Sequence, residues 1–163
     1  MLLSLSGNRG IVALETAAFT HLRQLTKLDL SDCRISSLAG GAFSNLDSLE
    51  RLYLQGNRLA SVSVTGGSLP SSLHGIALHD NPWHCDCRLS SLRSWLATSN
   101  VPRLTEPVCS SPHRLQGFQV TGTRSFLTFI KEYIFSGLQI DRNKRQNKFI
   151  NLFVCYTVCR WCK

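Results

Sequence analysis

No apolar run in this 163-residue chain is long enough to cross a membrane. The longest, residues 126–130, 133–135 and 149–158, are broken by charge or fall short of the roughly 18–20 residues a span needs. No secretory leader is expected from the residues at the chain's start. Leu-Leu-Ser-Leu-Ser-Gly-Asn follows Met1 without a basic segment, an apolar core or a small-residue cleavage site. There is no N-x-Ser/Thr sequon. Nor is there a G-x-S-x-G, a P-loop, an H-E-x-x-H or a dinucleotide fingerprint. His21, His74, His79, His84 and His113 show no paired spacing with an acid or a nucleophile. Neither enzyme activity nor a cofactor is therefore expected, and no membrane span is expected in this chain. Acidic residues are scarce in one region: residues 110–163 carry nine Lys/Arg against two Asp/Glu, whereas 1–109 carry nine against eight. The net charge of +8 belongs mainly to the tail and says little about what the rest binds.

What the chain has is a period. Leu25, Leu49 and Leu73 lie 24 residues apart. So do Leu28, Leu52 and Ile76, then Leu30, Leu54 and Leu78, then Cys33, Asn57 and Asn81. An earlier turn fits with one extra residue near Gly10, through Leu3, Leu5, Asn8, Ile11, Leu14, Phe19 and Leu22. The second turn adds Ile35, Leu38, Phe43 and Leu46, the third Leu59 and Val62. Residues 63–72 lack the Phe and are rich in Gly and Ser, so this stretch is expected to be irregular.

The frame L-x-x-L-x-L-x-x-(N/C)-x-(I/L) resembles the leucine-rich repeat family, in its extracellular subclass with 24-residue repeats. The resemblance implies an α/β solenoid, right-handed and curved, with a parallel concave sheet, an irregular convex side and a helical C-terminal cap. Successive side chains of a strand point to opposite faces, so Leu28 and Leu30 go inward while Lys27, Asp29 and Ser31 go outward. Asn8, Asn57 and Asn81 are implied as a ladder of inward residues that bond the backbone of adjacent turns, as buried peptide groups require. Cys33 takes that place in the second turn, as a small buried residue with a reduced thiol. The outward residues Lys27, Asp29, Ser31, Arg51, Tyr53, Gln55 and His79 form the concave surface, which in this family usually binds protein. Parallel strands space them about 4.8 Å apart. Arg51 and Tyr53 are the best anchors, since both residue types are enriched in interface hot spots. The competing reading is a plain solvated face.

Asn81-Pro82-Trp83-x-Cys85-x-Cys87, followed by Leu89, Leu92, Trp95, Leu96 and Pro107-x-Cys109, is similar to the cysteine-rich C-terminal flank of extracellular leucine-rich repeat proteins. Leu89, Leu92, Trp95 and Leu96 have helical spacing and should lay an apolar face over the last repeat, with Trp83 beneath and Pro102 limiting the helix. The family's flank pairs its first cysteine with its third and its second with its fourth. Carried over, Cys85 pairs with Cys109, and Cys87 lacks its partner or finds it in the tail. A fourth cysteine is missing at the usual distance; the next is Cys155. Zinc is the alternative, on His84, Cys85, Cys87, Cys109 and His113, or on Cys155, Cys159 and Cys162. The tight Cys85-x-Cys87 spacing departs from common zinc elements, and no metal is expected.

The chain thus divides into repeats over 1–80, an incomplete cap over 81–120 and a basic, cysteine-containing tail over 121–163. The uncovered start before Leu3 and the lost cysteine suggest an internal piece of a longer protein, with a tail foreign to the domain. The expected function is protein–protein recognition, of a protein ligand or co-receptor, within a secreted or cell-surface adhesion, guidance or receptor protein. Two alternatives remain: an intracellular protein binding zinc or nucleic acid through its tail, and a truncated product without a function of its own. Nucleic-acid binding is not the expectation.

Overall fold

The computed structural model describes residues 1–64 and 68–122. Met1–Thr121 form one compact unit. Its backbone is a parallel sheet of four short strands, β1 (Leu2–Ser4), β3 (Lys27–Asp29), β5 (Arg51–Tyr53) and β6 (Gly75–Ala77), in that spatial order. Leu3, Leu28, Leu52 and Ile76 are in register across it. That register is the 24-residue period turned into space. Each turn lays its inward leucines on those of the turn before, and Leu25, Leu28, Leu30, Leu49, Leu52 and Leu54 lose essentially all contact with solvent. No turn encloses its own apolar side, so stability is shared between neighbours.

The convex side is less irregular than the sequence suggests. β2 (Ala13–Leu14) and β4 (Ser37–Leu38) pair there in parallel, 24 residues apart. Beneath them Phe19 and Phe43 stack, with ring centroids 6.2 Å apart and planes at 8°. The pairing stops at the third turn, where the sequence places Gly67 in the Phe column. Residues 65–67 lie outside the described residues. A cavity of about 20 Å³ is lined by Leu38, Phe43, Leu54, Val62, Ile76 and Leu92 among others. Ser91 of the cap helix steadies this turn, accepting the Val64 N–H at 3.0 Å and donating to Val62 O at 3.4 Å.

The ladder residues bond across turns. Asn57 donates through Nδ2 to Leu30 O at 2.8 Å in the previous turn and accepts the Ile35 N–H at 3.1 Å. Asn81 repeats this with Leu54 O at 2.9 Å and the Leu59 N–H at 3.0 Å. Cys33 makes half of the set: its thiol donates to Leu5 O at 3.3 Å, and sulfur, a weak acceptor, is a poor counterpart to the amide oxygen. Asn8, on the first turn, is exposed and bonds only its own turn, at Leu5 O. Substituting Asn57 by Ala is expected to destabilise by about 2–3 kcal/mol, because it strands buried peptide groups on two turns. Urea denaturation measures it. The same change at exposed Asn8 should stay within about 0.5 kcal/mol.

Just before the ladder runs a second column, not anticipated from sequence. Gly7, Asp32, Gly56 and Asp80 all have positive φ, at 75°, 55°, 68° and 54°. The chain must turn left-handed as it leaves each concave strand, and only Gly, Asn and Asp do so at low cost. At Gly56 space matters too, since a Cβ would lie 2.1 Å from the Asp32 carboxylate oxygen. The convex side has its own left-handed pair, Ala17 at 58° and Gly41 at 87°. Ala is poorly suited there. Ala17→Gly is expected to raise stability by up to about 1 kcal/mol, measurable as a higher unfolding midpoint.

The cap closes the far end. β7 (Trp83–His84) pairs in parallel with β8 (Cys109–Ser111), and a 3-10 turn (Cys87–Leu89) leads into helix α1 (Ser90–Thr98). Leu89, Leu92 and Leu96 are buried. Trp95 is only half-buried, so it flanks the helix's apolar face instead of joining the core. The helix ends at Thr98, four residues before Pro102. Partial burial on α1 pushes the Arg93 guanidinium below its ordinary value, though the group stays charged near neutrality. Residues 102–104 then extend the concave sheet: Ile76 donates to Pro102 O at 3.1 Å and Leu104 to Ile76 O at 3.2 Å. The open edge of β6 is thereby covered, as exposed sheet edges otherwise invite aggregation. The cap reaches Val120, which is buried and donates to Pro107 O at 2.9 Å.

Candidate functional site

Alternation along the strands sends the residues between the inward leucines onto the concave face. In register, Lys27, Arg51 and Gly75 make one column and Asp29, Tyr53 and Ala77 the next. Ser31, Gln55 and His79 continue a third: Asp32 donates to Gln55 O and Gly56 to His79 O, which binds the strand extensions together.

These residues do not form one uniform surface. On the first two turns the polar groups satisfy each other. The Ser31 hydroxyl donates to Asp29 Oδ1 at 2.6 Å and lies 2.8 Å from the Ser6 hydroxyl, while the Ser31 N–H also bonds Asp29 Oδ1 at 3.0 Å. Ser31 is only 4% exposed. Its place among the outward contact residues therefore needs correcting. It is sealed by Asp29 and Ser6 and offers a partner almost nothing. Lys27 and Asp29 are half-buried.

On the third and fourth turns the balance changes. Arg51 is exposed, and Tyr53, Gln55 and His79 are half-buried. The Arg51 stem lies over Gly75, where a Cβ would meet its Cγ at 3.9 Å. Gln55 Oε1 and His79 Nδ1 are buried atoms without a hydrogen-bond partner. Among the described residues, His79 pairs with Asp80, whose Oδ2 is 3.7 Å from Nε2. Leaving such groups unpaired costs free energy in the unbound protein. These two atoms lie in the column that continues past Arg51 and Tyr53, and a third such atom, Ser99 Oγ, lies in the cap. Gly75 and Ala77 contribute no side-chain reach.

In the cap, Cys85 and Cys109 form a disulfide with Cα atoms 5.7 Å apart. Their sulfurs are thereby lost as zinc ligands, and no metal-type cluster of His, Cys, Asp or Glu occurs among the described residues. Cys33 is a buried free thiol. The side chain of Cys87, the tail from residue 123 on and its Cys155, Cys159 and Cys162 lie outside the described residues. Trp83 has no exposed surface, and its indole N–H donates to Leu78 O at 2.9 Å.

One arrangement escaped the sequence reading of the histidines. Ser111 Oγ lies 2.7 Å from His84 Nδ1, and Asp86 Oδ2 is 3.5 Å from His84 Nε2. The order nucleophile, base, acid is that of a hydrolytic triad. The carboxylate, however, is already engaged. Arg88 donates to it from Nε at 2.9 Å and from its backbone N–H at 2.9 Å, and Arg88 Nη2 stands 2.8 Å away. The group ties β7, β8 and the 3-10 turn together. It is a clamp, and only the folded chain brings Ser111 within reach of His84.

Family models described as leucine rich repeat match residues 1–59 and 48–76. Human chondroadherin is 34% identical over 110 residues, covering 64% of this chain. Mouse trophoblast glycoprotein is 32% identical over 124 residues, covering 66%. A phospholipase A2 inhibitor from Gloydius brevicaudus siniticus is 33% identical over 96 residues, covering 58%. The chain spans 28% of the length of each of these relatives.

Proposed function

The repeats of this chain belong to the leucine-rich repeat family, and on that premise we propose that the chain is a protein–protein recognition module of a secreted or cell-surface protein. Its concave face would meet a protein ligand or co-receptor, with Arg51 and Tyr53 as anchors and Lys27, Gln55 and His79 around them. The observation that carries this reading is the uneven concave face. On the first turns Ser6, Asp29 and Ser31 are paired with one another, whereas the third turn carries an exposed Arg51, and the third and fourth carry the unpaired buried atoms of Gln55 and His79. A surface kept for its own stability would be satisfied throughout. Two further findings support it. The disulfide belongs to an oxidising compartment. One relative bears the name of an inhibitor of an enzyme, which is a protein target. No catalytic role is proposed.

The test displays the oxidised chain multivalently against an array of purified extracellular protein domains. Binding that falls at least tenfold in Arg51→Ala or Tyr53→Ala supports the reading, since hot-spot truncations cost about 2 kcal/mol or more. Hits indifferent to both changes, or an array without hits, count against it. Gln55→Leu and His79→Leu sharpen the test. Each removes an unsatisfied buried polar atom, so the unfolding midpoint is expected to hold or rise while binding weakens. Joint loss of stability and binding would assign both residues to the scaffold.

A further inference from the structure

Arg9, Arg34 and Arg58 each follow a ladder residue, Asn8, Cys33 and Asn57. The repeat therefore places them one above another on the side where the chain leaves the concave sheet. The backbone fixes this stacking. Arg58 donates its N–H to Ile35 O at 2.8 Å, and Arg34 donates to Ile11 O at 3.2 Å. Successive turns bonded in this way are about 4.8 Å apart. All three side chains are exposed. Among the described residues none of them takes part in an ion pair. The acid nearest in sequence, Asp32, directs its carboxylate over Gly56. The column ends at Pro82, where the cap begins.

Three like charges in line, none of them held in an ion pair, repel one another and attract an anion that can reach all three. A single carboxylate cannot. A linear polyanion can, and the planar guanidinium fork suits tetrahedral oxyanions such as sulfate. The disulfide sets the compartment as oxidising, which favours a sulfated polysaccharide over nucleic acid. We propose that Arg9, Arg34 and Arg58 form a binding ladder for a sulfated polysaccharide, on a face separate from the concave protein-binding columns.

The test uses the full oxidised chain and a heparin dodecasaccharide, with affinity measured across a salt series. The triple variant Arg9→Ser, Arg34→Ser, Arg58→Ser is expected to bind at least tenfold more weakly at 150 mM salt. Its log affinity should fall less steeply with log salt, by about 2–3 units of slope, because fewer counterions are released. Its urea midpoint should hold or rise as the repulsion disappears. The charge-matched control, Arg142→Ser, Lys144→Ser, Arg145→Ser, removes three tail cations. Loss in the control with none in the ladder variant would overturn the proposal. So would polyglutamate bound as tightly as the dodecasaccharide with the same dependence on the ladder, since that would identify an acidic peptide as the ligand.

Discussion

Trp83→Ala is expected to remove about 3–5 kcal/mol of stability, the range for deleting a large buried aromatic. Trp83 has no exposed surface and stands where the repeats give way to the cap. Its indole N–H also satisfies Leu78 O, which would otherwise depend on Asn81 alone at 3.2 Å. The substitution thus opens a cavity and weakens a buried hydrogen-bond set together. Domains of this size are stable by about 5–15 kcal/mol, so the variant should be near its folding limit. Trp95→Ala makes the contrast. Trp95 is half-buried, so its loss should cost about 1–2 kcal/mol. Urea unfolding of both proteins decides. Equal losses would mean that the cap does not discriminate between its two tryptophans.

Breaking the Cys85–Cys109 bond is expected to cost about 3.5 kcal/mol, the chain-entropy value for a sequence separation of 24. The bond closes a loop that contains α1, the 3-10 turn and the added edge at residues 102–104. With it gone, the cap can lift from the last repeat while the first turns keep their ladder. Unfolding should then lose its single cooperative transition. Cys109→Ser, followed by hydrogen exchange, reports this directly. Protection should fall first at Ile76 and Leu104 and last at Leu28 and Leu52. Uniform loss would contradict a cap that seals one end.

Much of the fold was legible because a strict alternation and a constant period leave little freedom. Leu28, Leu52 and Ile76 had to share a register once they were 24 residues apart, and the concave residues followed. What stayed hidden depends on groups distant in sequence or on conformation that residue type encodes only loosely. Ser31 alternates outward like its neighbours, yet the Asp29 carboxylate and the Ser6 hydroxyl enclose it. The left-handed column mixes Gly7 and Gly56 with Asp32 and Asp80, so no single letter repeats. Pro102 follows the end of the helix as its sequence suggests, but its carbonyl also accepts from Ile76 and begins a bridge to the concave sheet, which the sequence did not show. Ser111 and His84 are 27 residues apart and meet only because β7 and β8 pair. The unpaired atoms of Gln55 and His79 were beyond reach for the same reason, since satisfaction is a property of the packed surface.

A repeat stack sealed at its far end by a disulfide-closed cap is the central structural claim. Its most direct test is peptide mass mapping under non-reducing conditions, on the chain isolated from cells that express it. The expected result is a Cys85–Cys109 crosslinked peptide in near-complete yield, with Cys33 alkylated only after unfolding. Free thiols at Cys85 and Cys109 in the native protein, or zinc bound in stoichiometric amount, would contradict it.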